Sequence, residues 1–214
     1  ISSNRPDPEP PPNPEPIAQS FKLSQLKKRP DWPEWQQSQY LMLDQYMTQG
    51  MFGAPMPLPK KANVFRMLWT YLLKIDGTRK SRMVCDGNPA MRRHLTIRHT
   101  YANSLDSASE RLFWALVAKE GLIAIGADVS NAFAEAPPPK EPLYMYIDET
   151  FKKWWVEHLG RPPIPDDCNV IKIHNAIQGH PEAPRLWEKH IDKVLKEIGL
   201  CPTTHVPCLY CGTY

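Results

Sequence analysis

The sequence predicts a mixed α+β fold, and three observations carry that prediction. Two runs of β-forming residues flank Asp76-Gly77, a dipeptide suited to the tight turn of a hairpin. Segments 107–121 and 183–199 repeat apolar residues at helical spacing, and each ends on a glycine. The runs 122–129, 143–147 and 170–174 are short and apolar, as buried strands are. Strands and helices mixed in this order suit a mixed or antiparallel sheet packed on helices.

In chain order, the first 16 residues hold seven of the 24 prolines, together with Asp7, Glu9 and Glu15. Such a stretch lacks backbone donors and buries no apolar surface, so residues 1–20 read as an extended, disordered linker. Residues 21–59 read as a helical lead-in and connector. Trp35, Tyr40, Leu41, Leu43 and Tyr46 lie within a helix expected to start after Pro33 and stop near Gly50. The hairpin follows, from Val64 to Lys74 and from Arg79 to Val84, with Lys74, Arg79, Lys80 and Arg82 near its tip and along its return strand. Ser107 and Glu110 form the pattern of a capping box. Ala108, Leu112, Phe113, Ala115 and Leu116 are expected to line one face of the ensuing helix. Leu122–Val129 reads as a buried strand ending on Asp128. The last helix is expected over 183–198, with Leu186, Ile191, Val194, Leu195 and Ile198 on its apolar face.

Composition excludes several classes. The 214 residues are 42% hydrophobic and 23% charged, which argues against collagenous, coiled-coil and wholly disordered chains. The longest uncharged apolar run, Leu112 to Ala118, is far below the roughly 20 residues that span a bilayer. The N-terminus lacks the apolar core of a signal peptide. The first residue is Ile1, so the expectation is a fragment of a longer polyprotein. Five cysteines at irregular spacing read as reduced thiols. Net charge is only +3, but residues 60–99 hold ten Lys/Arg against two Asp, a local +8. A block of that sign suits a phosphate-rich partner or a solvated basic face.

Asp128 is the first residue with candidate chemistry. A carboxylate closing a buried strand is tolerated where a cation or ligand compensates it, and otherwise marks a turn or helix cap. Small polar residues and an aromatic follow it, Val129 to Phe133. A second loop, 176–187, contains Gln178 and Gly179 and enters the last helix through Pro184.

Taken together these segments resemble the reverse transcriptase of copia-type LTR retrotransposons. Leu73–Val84 resembles that family's Lys-x-x-Asp-Gly and Lys-Ala-Arg-Leu-Val hairpin. Asp128–Phe133 is similar to its Asp-Val-Lys-Thr-Ala-Phe, and Leu143-Tyr144-Met145 to its Ile-Tyr-Met. Gln178-Gly179 through Ala183-Pro184-Arg185 and Trp187 is similar to its Tyr-Gly-Leu-Lys-Gln-Ala-Pro-Arg-x-Trp. Trp35 and Pro57-Leu58-Pro59 fit its lead-in, so the likeness covers residues 31–214. The resemblance implies a right-hand polymerase, with fingers and the first half of the palm over 60–214. It implies RNA-directed DNA synthesis, in which two Mg²⁺ ions support nucleotidyl transfer from a dNTP to a primer 3′-hydroxyl. Asp128 would be the catalytic metal ligand, with the Val129 carbonyl beside it. Lys74, Arg82, Asn131, Ala132, Phe133, Gln178 and Gly179 would bind the dNTP, Phe133 as a gate against ribose and Gly179 by permitting close approach. Arg79, Lys80, Arg92 and Arg93 would contact an RNA or DNA template-primer. The implied setting is a retrotransposon polyprotein with integrase and RNase H, intracellular, in a cytoplasmic virus-like particle or the nucleus.

Departures from the pattern define the alternatives. The family's Tyr-x-Asp-Asp motif does not occur before Tyr214, and the adjacent pair Asp166-Asp167 reads as a loop. One aspartate does not hold two ions, so the chain alone is expected not to polymerise. The alternative is a non-catalytic nucleic-acid-binding remnant of such a domain. Cys201, His205, Cys208 and Cys211 offer four zinc-type ligands, the basis of a third reading as a zinc-organised interaction module.

Overall fold

A computed structural model of the chain describes residues 18–87 and 100–212. Two three-stranded sheets and a long helix form its core. Helix α2 (Trp32–Thr48) follows a strand β1 (Gln19–Phe21) and a short helix α1 (Leu23–Leu26). Pro33 stands in the first turn of α2, where a missing amide hydrogen costs nothing. The hairpin comprises β3 (Met67–Leu73) and β4 (Arg79–Cys85), in register from Met67↔Cys85 to Leu73↔Arg79. Gly77 adopts φ +80 in its turn, and the Asp76 carboxylate accepts from the Thr78 amide at 2.9 Å. β1 completes this sheet on the far edge of β3. The expected linker therefore stops short of residue 20: Gln19 and Ser20 already pair with Leu73 and Leu72.

The second sheet has the order β2-β5-β6, from β2 (Val64–Phe65), β5 (Leu143–Tyr146) and β6 (Val170–Ile173). β2 runs parallel to β5, and β5 antiparallel to β6. The run expected as one strand from Val64 to Lys74 is thus divided at Arg66 between two sheets. The split lets Val64 and Phe65 enter one sheet and Met67 onward the other. Arg66 itself stays exposed and pairs with Asp86 at 2.5 Å. Phe65, Met67, Met83, Met145, Ile171 and Ile173 from both sheets meet Leu43 and Tyr46 of α2 in one core. A segment not foreseen as helical, α5 (Glu149–Lys153) and the wider turn 154–158, adds buried Phe151 and Trp154 to that core. Trp154 donates through Nε1 to Asp44 of α2 at 2.9 Å, which satisfies an indole that is otherwise wholly buried.

The later helices are α3 (Ser107–Glu120), α4 (Ala132–Glu135) and α6 (Ala183–Glu197), and a ribbon of β7 (Cys201–Pro202) with β8 (Tyr210–Cys211) closes the described chain. α3 is capped by Asp106, not by a Ser107–Glu110 box: the Asp106 carboxylate accepts from the Ala108 and Ser109 amides. Gly121 ends the helix at φ +62. Its expected apolar face is uncovered, with Leu112, Phe113 and Leu116 exposed, and Trp114, outside that face, is exposed as well. The expected strand 122–129 does not form. Residues 122–129 are irregular, and Ile123 and Ile125 are 90% and 89% exposed. A strand requires a neighbouring backbone for its amides and carbonyls, and none lies alongside among the described residues. The face of α6 is only partly covered, and Ile198 is exposed.

Candidate functional site

The edge of β4 organises the site. β4 is the outer strand of its sheet, so half of its backbone groups point away from β3. At one end Ser38 of α2 satisfies them: its hydroxyl donates to the Arg79 carbonyl and accepts from the Ser81 amide, both at 2.9 Å. At the other end the Cys85 amide donates to the Gln178 carbonyl at 2.7 Å. That bond brings the 176–182 loop against the hairpin. Gly179 has φ +89, and a Cβ there would lie 2.2 Å from the Cys85 carbonyl oxygen. The close approach that needs glycine is therefore to the β4 backbone. The neighbouring Gln178 reaches the cleft between the hairpin and α2.

Between β4, α2 and the 128–134 segment lies a cleft of about 480 Å³. Lys74, Arg79, Lys80 and Arg82 line one side, Asp128 through Phe133 another, and Gln178 its end. Lys80 and Arg82 alternate with inward-facing Ser81 and Met83, so period-two geometry puts both on one face of the strand. The Lys80 ammonium is held below its usual pKa by burial first and then by the neighbouring charges of Arg82 and Lys74, with Asp128 opposing. Among the described residues Lys74, Lys80 and Arg82 form no ion pair. Arg79 differs: it pairs with Asp31 at 3.1 Å and Glu34 at 2.5 Å at the start of α2. These pairs fasten the hairpin to the helix. Arg92 and Arg93 lie outside the described residues.

Asp128 is exposed on irregular chain, so the strand burial expected to constrain it is absent. Among the described residues it is the one carboxylate in the cleft lining. Among the described residues no three His, Cys, Asp or Glu side chains gather where they could hold a metal ion. A donor set for two divalent cations is thus not present in them, and Cys201, His205, Cys208 and Cys211 do not form a zinc cage. Asn131 takes a left-handed conformation at φ 51, which asparagine tolerates. Its side-chain amide donates to Gln45 of α2 at 3.2 Å, which positions the 128–133 segment over the helix. Phe133 is half-buried against Ala136, Ala176 and Ala183 at the foot of the cleft. Beside the loop, His180 is buried against Phe65, and desolvation pushes its imidazole down to about 4, so it is a neutral packing residue.

Sequence reasoning missed the contribution of α2. Ser38, Leu41, Met42 and Gln45 line the cleft at helical i, i+3, i+4, i+7 spacing. That spacing is visible in the sequence, but it has no distinguishing motif, and only docking against β4 gives it a role.

The chain is 25% identical over 158 residues to the Retrovirus-related Pol polyprotein from transposon TNT 1-94 of Nicotiana tabacum. The aligned part is 72% of this chain and 11% of that polyprotein, so the chain spans about a ninth of its relative. No protein-family profile matches the chain, and no solved structure matches it. The chain is thus distantly similar to a segment of a retrotransposon Pol polyprotein. No helix among the described residues is long and apolar enough to cross a membrane.

Proposed function

We propose that the chain is the fingers and first part of the palm of a retrotransposon reverse transcriptase, and that its cleft grips the triphosphate of an incoming dNTP. One observation carries the reading: three segments far apart in sequence, the hairpin, Asp128–Phe133 and Gln178, line a single cleft. Those segments are the ones whose motifs resemble a reverse transcriptase, and the similarity to a Pol polyprotein supports the same direction. The electrostatics are compatible with it. Lys74, Lys80 and Arg82 raise one another's energy when empty-handed, and a polyanion placed between them relieves that repulsion and gains charge-assisted hydrogen bonds. Phe133 at the foot of the cleft is suited to contact a sugar.

With a single carboxylate in the lining, the described residues support binding, and no chemical step through metal ions is assigned to them. The test is calorimetric titration of the full chain with dTTP, alongside thymidine. dTTP is expected to bind, thymidine to bind far more weakly, and affinity to fall with added salt. Arg82→Ala should weaken dTTP binding by about 10-fold or more, the worth of one hydrogen bond to a charged group. Arg66→Ala, which removes a cation engaged by Asp86, should leave it unchanged. Equal affinity for dTTP and thymidine, or indifference to Arg82→Ala, would overturn the reading.

A further inference from the structure

The terminal ribbon sets two cysteines opposite each other. β7 and β8 pair antiparallel with Cys201 facing Cys211 and Pro202 facing Tyr210. Directly opposed residues of an antiparallel pair send their side chains to the same face, with Cα atoms about 4.5–5.5 Å apart. A disulfide needs Cα atoms about 4.4–6.8 Å apart, and the register puts the pair within that range.

The two faces of the ribbon differ. Tyr210 turns toward α6, where its hydroxyl donates to Asp192 at 2.9 Å. Because neighbours alternate, Cys211 and its partner Cys201 turn to the other face, and both are exposed. Cys208 is half-buried and lies in the turn between the two strands, outside the Cys201–Cys211 register. The turn between the strands is already closed, by the Thr203 amide donating to the Leu209 carbonyl at 2.8 Å and the Thr203 hydroxyl to the Val206 carbonyl at 2.9 Å. The two thiols are therefore held in register before any bond joins them. Cys85, by contrast, is buried in the main core.

We infer that Cys201 and Cys211 are a redox-modification site, a cross-strand dithiol that is oxidised to a disulfide by exchange with a low-molecular-weight disulfide such as glutathione disulfide. The thiolate of one cysteine attacks a glutathione sulfur, breaks its S–S bond and releases one glutathione thiolate. The second cysteine, as thiolate, attacks the protein sulfur of the mixed disulfide and releases the other glutathione. Two protons leave the protein thiols and two glutathione thiols form. The protein dithiol loses two electrons and the glutathione disulfide gains them.

Incubation of the dilute full chain with glutathione disulfide, alkylation of remaining thiols and peptide mass mapping tests this. A Cys201–Cys211 linked peptide is expected, with Cys208 alkylated, and it should persist in Cys208→Ser. Cys211→Ser should leave a glutathione adduct on Cys201 in place of the crosslink. Crosslinks that use Cys208 preferentially, stable glutathione adducts on both cysteines of the unmutated chain, or a disulfide-linked dimer would each overturn the assignment. Cys208→Ser provides a second reading if one ribbon variant fails to fold.

Discussion

Helices α2 and α3 are both apolar on part of their surface, yet they end in opposite environments. α2 buries Trp35, Tyr40, Leu43 and Tyr46 against β4 and the second sheet. α3 buries no residue, and Leu112, Phe113, Trp114 and Leu116 face solvent. The difference teaches that helix formation and helix burial have separate causes. α3 is defined at its ends, by the Asp106 cap and the left-handed Gly121, and needs no neighbour to satisfy its interior backbone. α2 has no side-chain cap bond from Asp31 and is held by what packs on it. The segment after α3 completes the contrast. Residues 122–129 are as apolar as β6, but a strand satisfies its backbone only through a second strand.

The contrast can be broken most severely at its two tryptophans. Trp35 is wholly buried, edge-on to Tyr71 at 6.0 Å and donating to Asp31. Trp35→Ala should cost about 3–5 kcal/mol in urea unfolding, whereas Trp114→Ala on α3 should stay within about 0.5 kcal/mol. Equal losses would mean that α3 is covered in solution. Two glycines sharpen the comparison at the next level. Gly179 and Gly121 both have positive φ, but a Cβ at Gly179 meets the Cys85 carbonyl, while one at Gly121 meets nothing within 4 Å. Gly121→Ala should cost about 1–2 kcal/mol from backbone conformation alone. Gly179→Ala should cost more in the same assay and should also weaken dTTP binding, because it separates the Gln178 loop from the hairpin. The smallest effect concerns the cap. Asp106→Ala should lower stability by about 1 kcal/mol, and hydrogen exchange should show that loss within α3 amides while those of α2 keep their protection.

The elements legible in the sequence were those that announce themselves locally. Asp76-Gly77 marks the hairpin, Gly50 the end of α2 and Gly199 the end of α6, while α2 starts at Trp32, just before Pro33 where the sequence places its start. The Leu143 and Val170 strands emerged within a residue of their expected bounds. The capping box at Ser107 was misplaced by one residue because Asp106 and Ser107 are both good caps, and only backbone conformation distinguishes them. The 154–158 turn is not legible locally because Trp154 acquires its role from Asp44 and Phe52, far away in the chain.

The same division holds for the cleft. Lys74, Lys80, Arg82, Asp128 and Gln178 could be singled out by residue type and spacing, since charge and motif are properties of the chain itself. That Arg79 is neutralised by Asp31 and Glu34, that Ser38 and Gln45 help build the cleft, and that Gly179 serves the β4 backbone were decided by tertiary structure. Local sequence determines which backbone conformations and charges are on offer. Which charges remain available to a ligand, and which apolar faces are covered, depends on contacts between residues dozens of positions apart, and those exist only once the chain has packed.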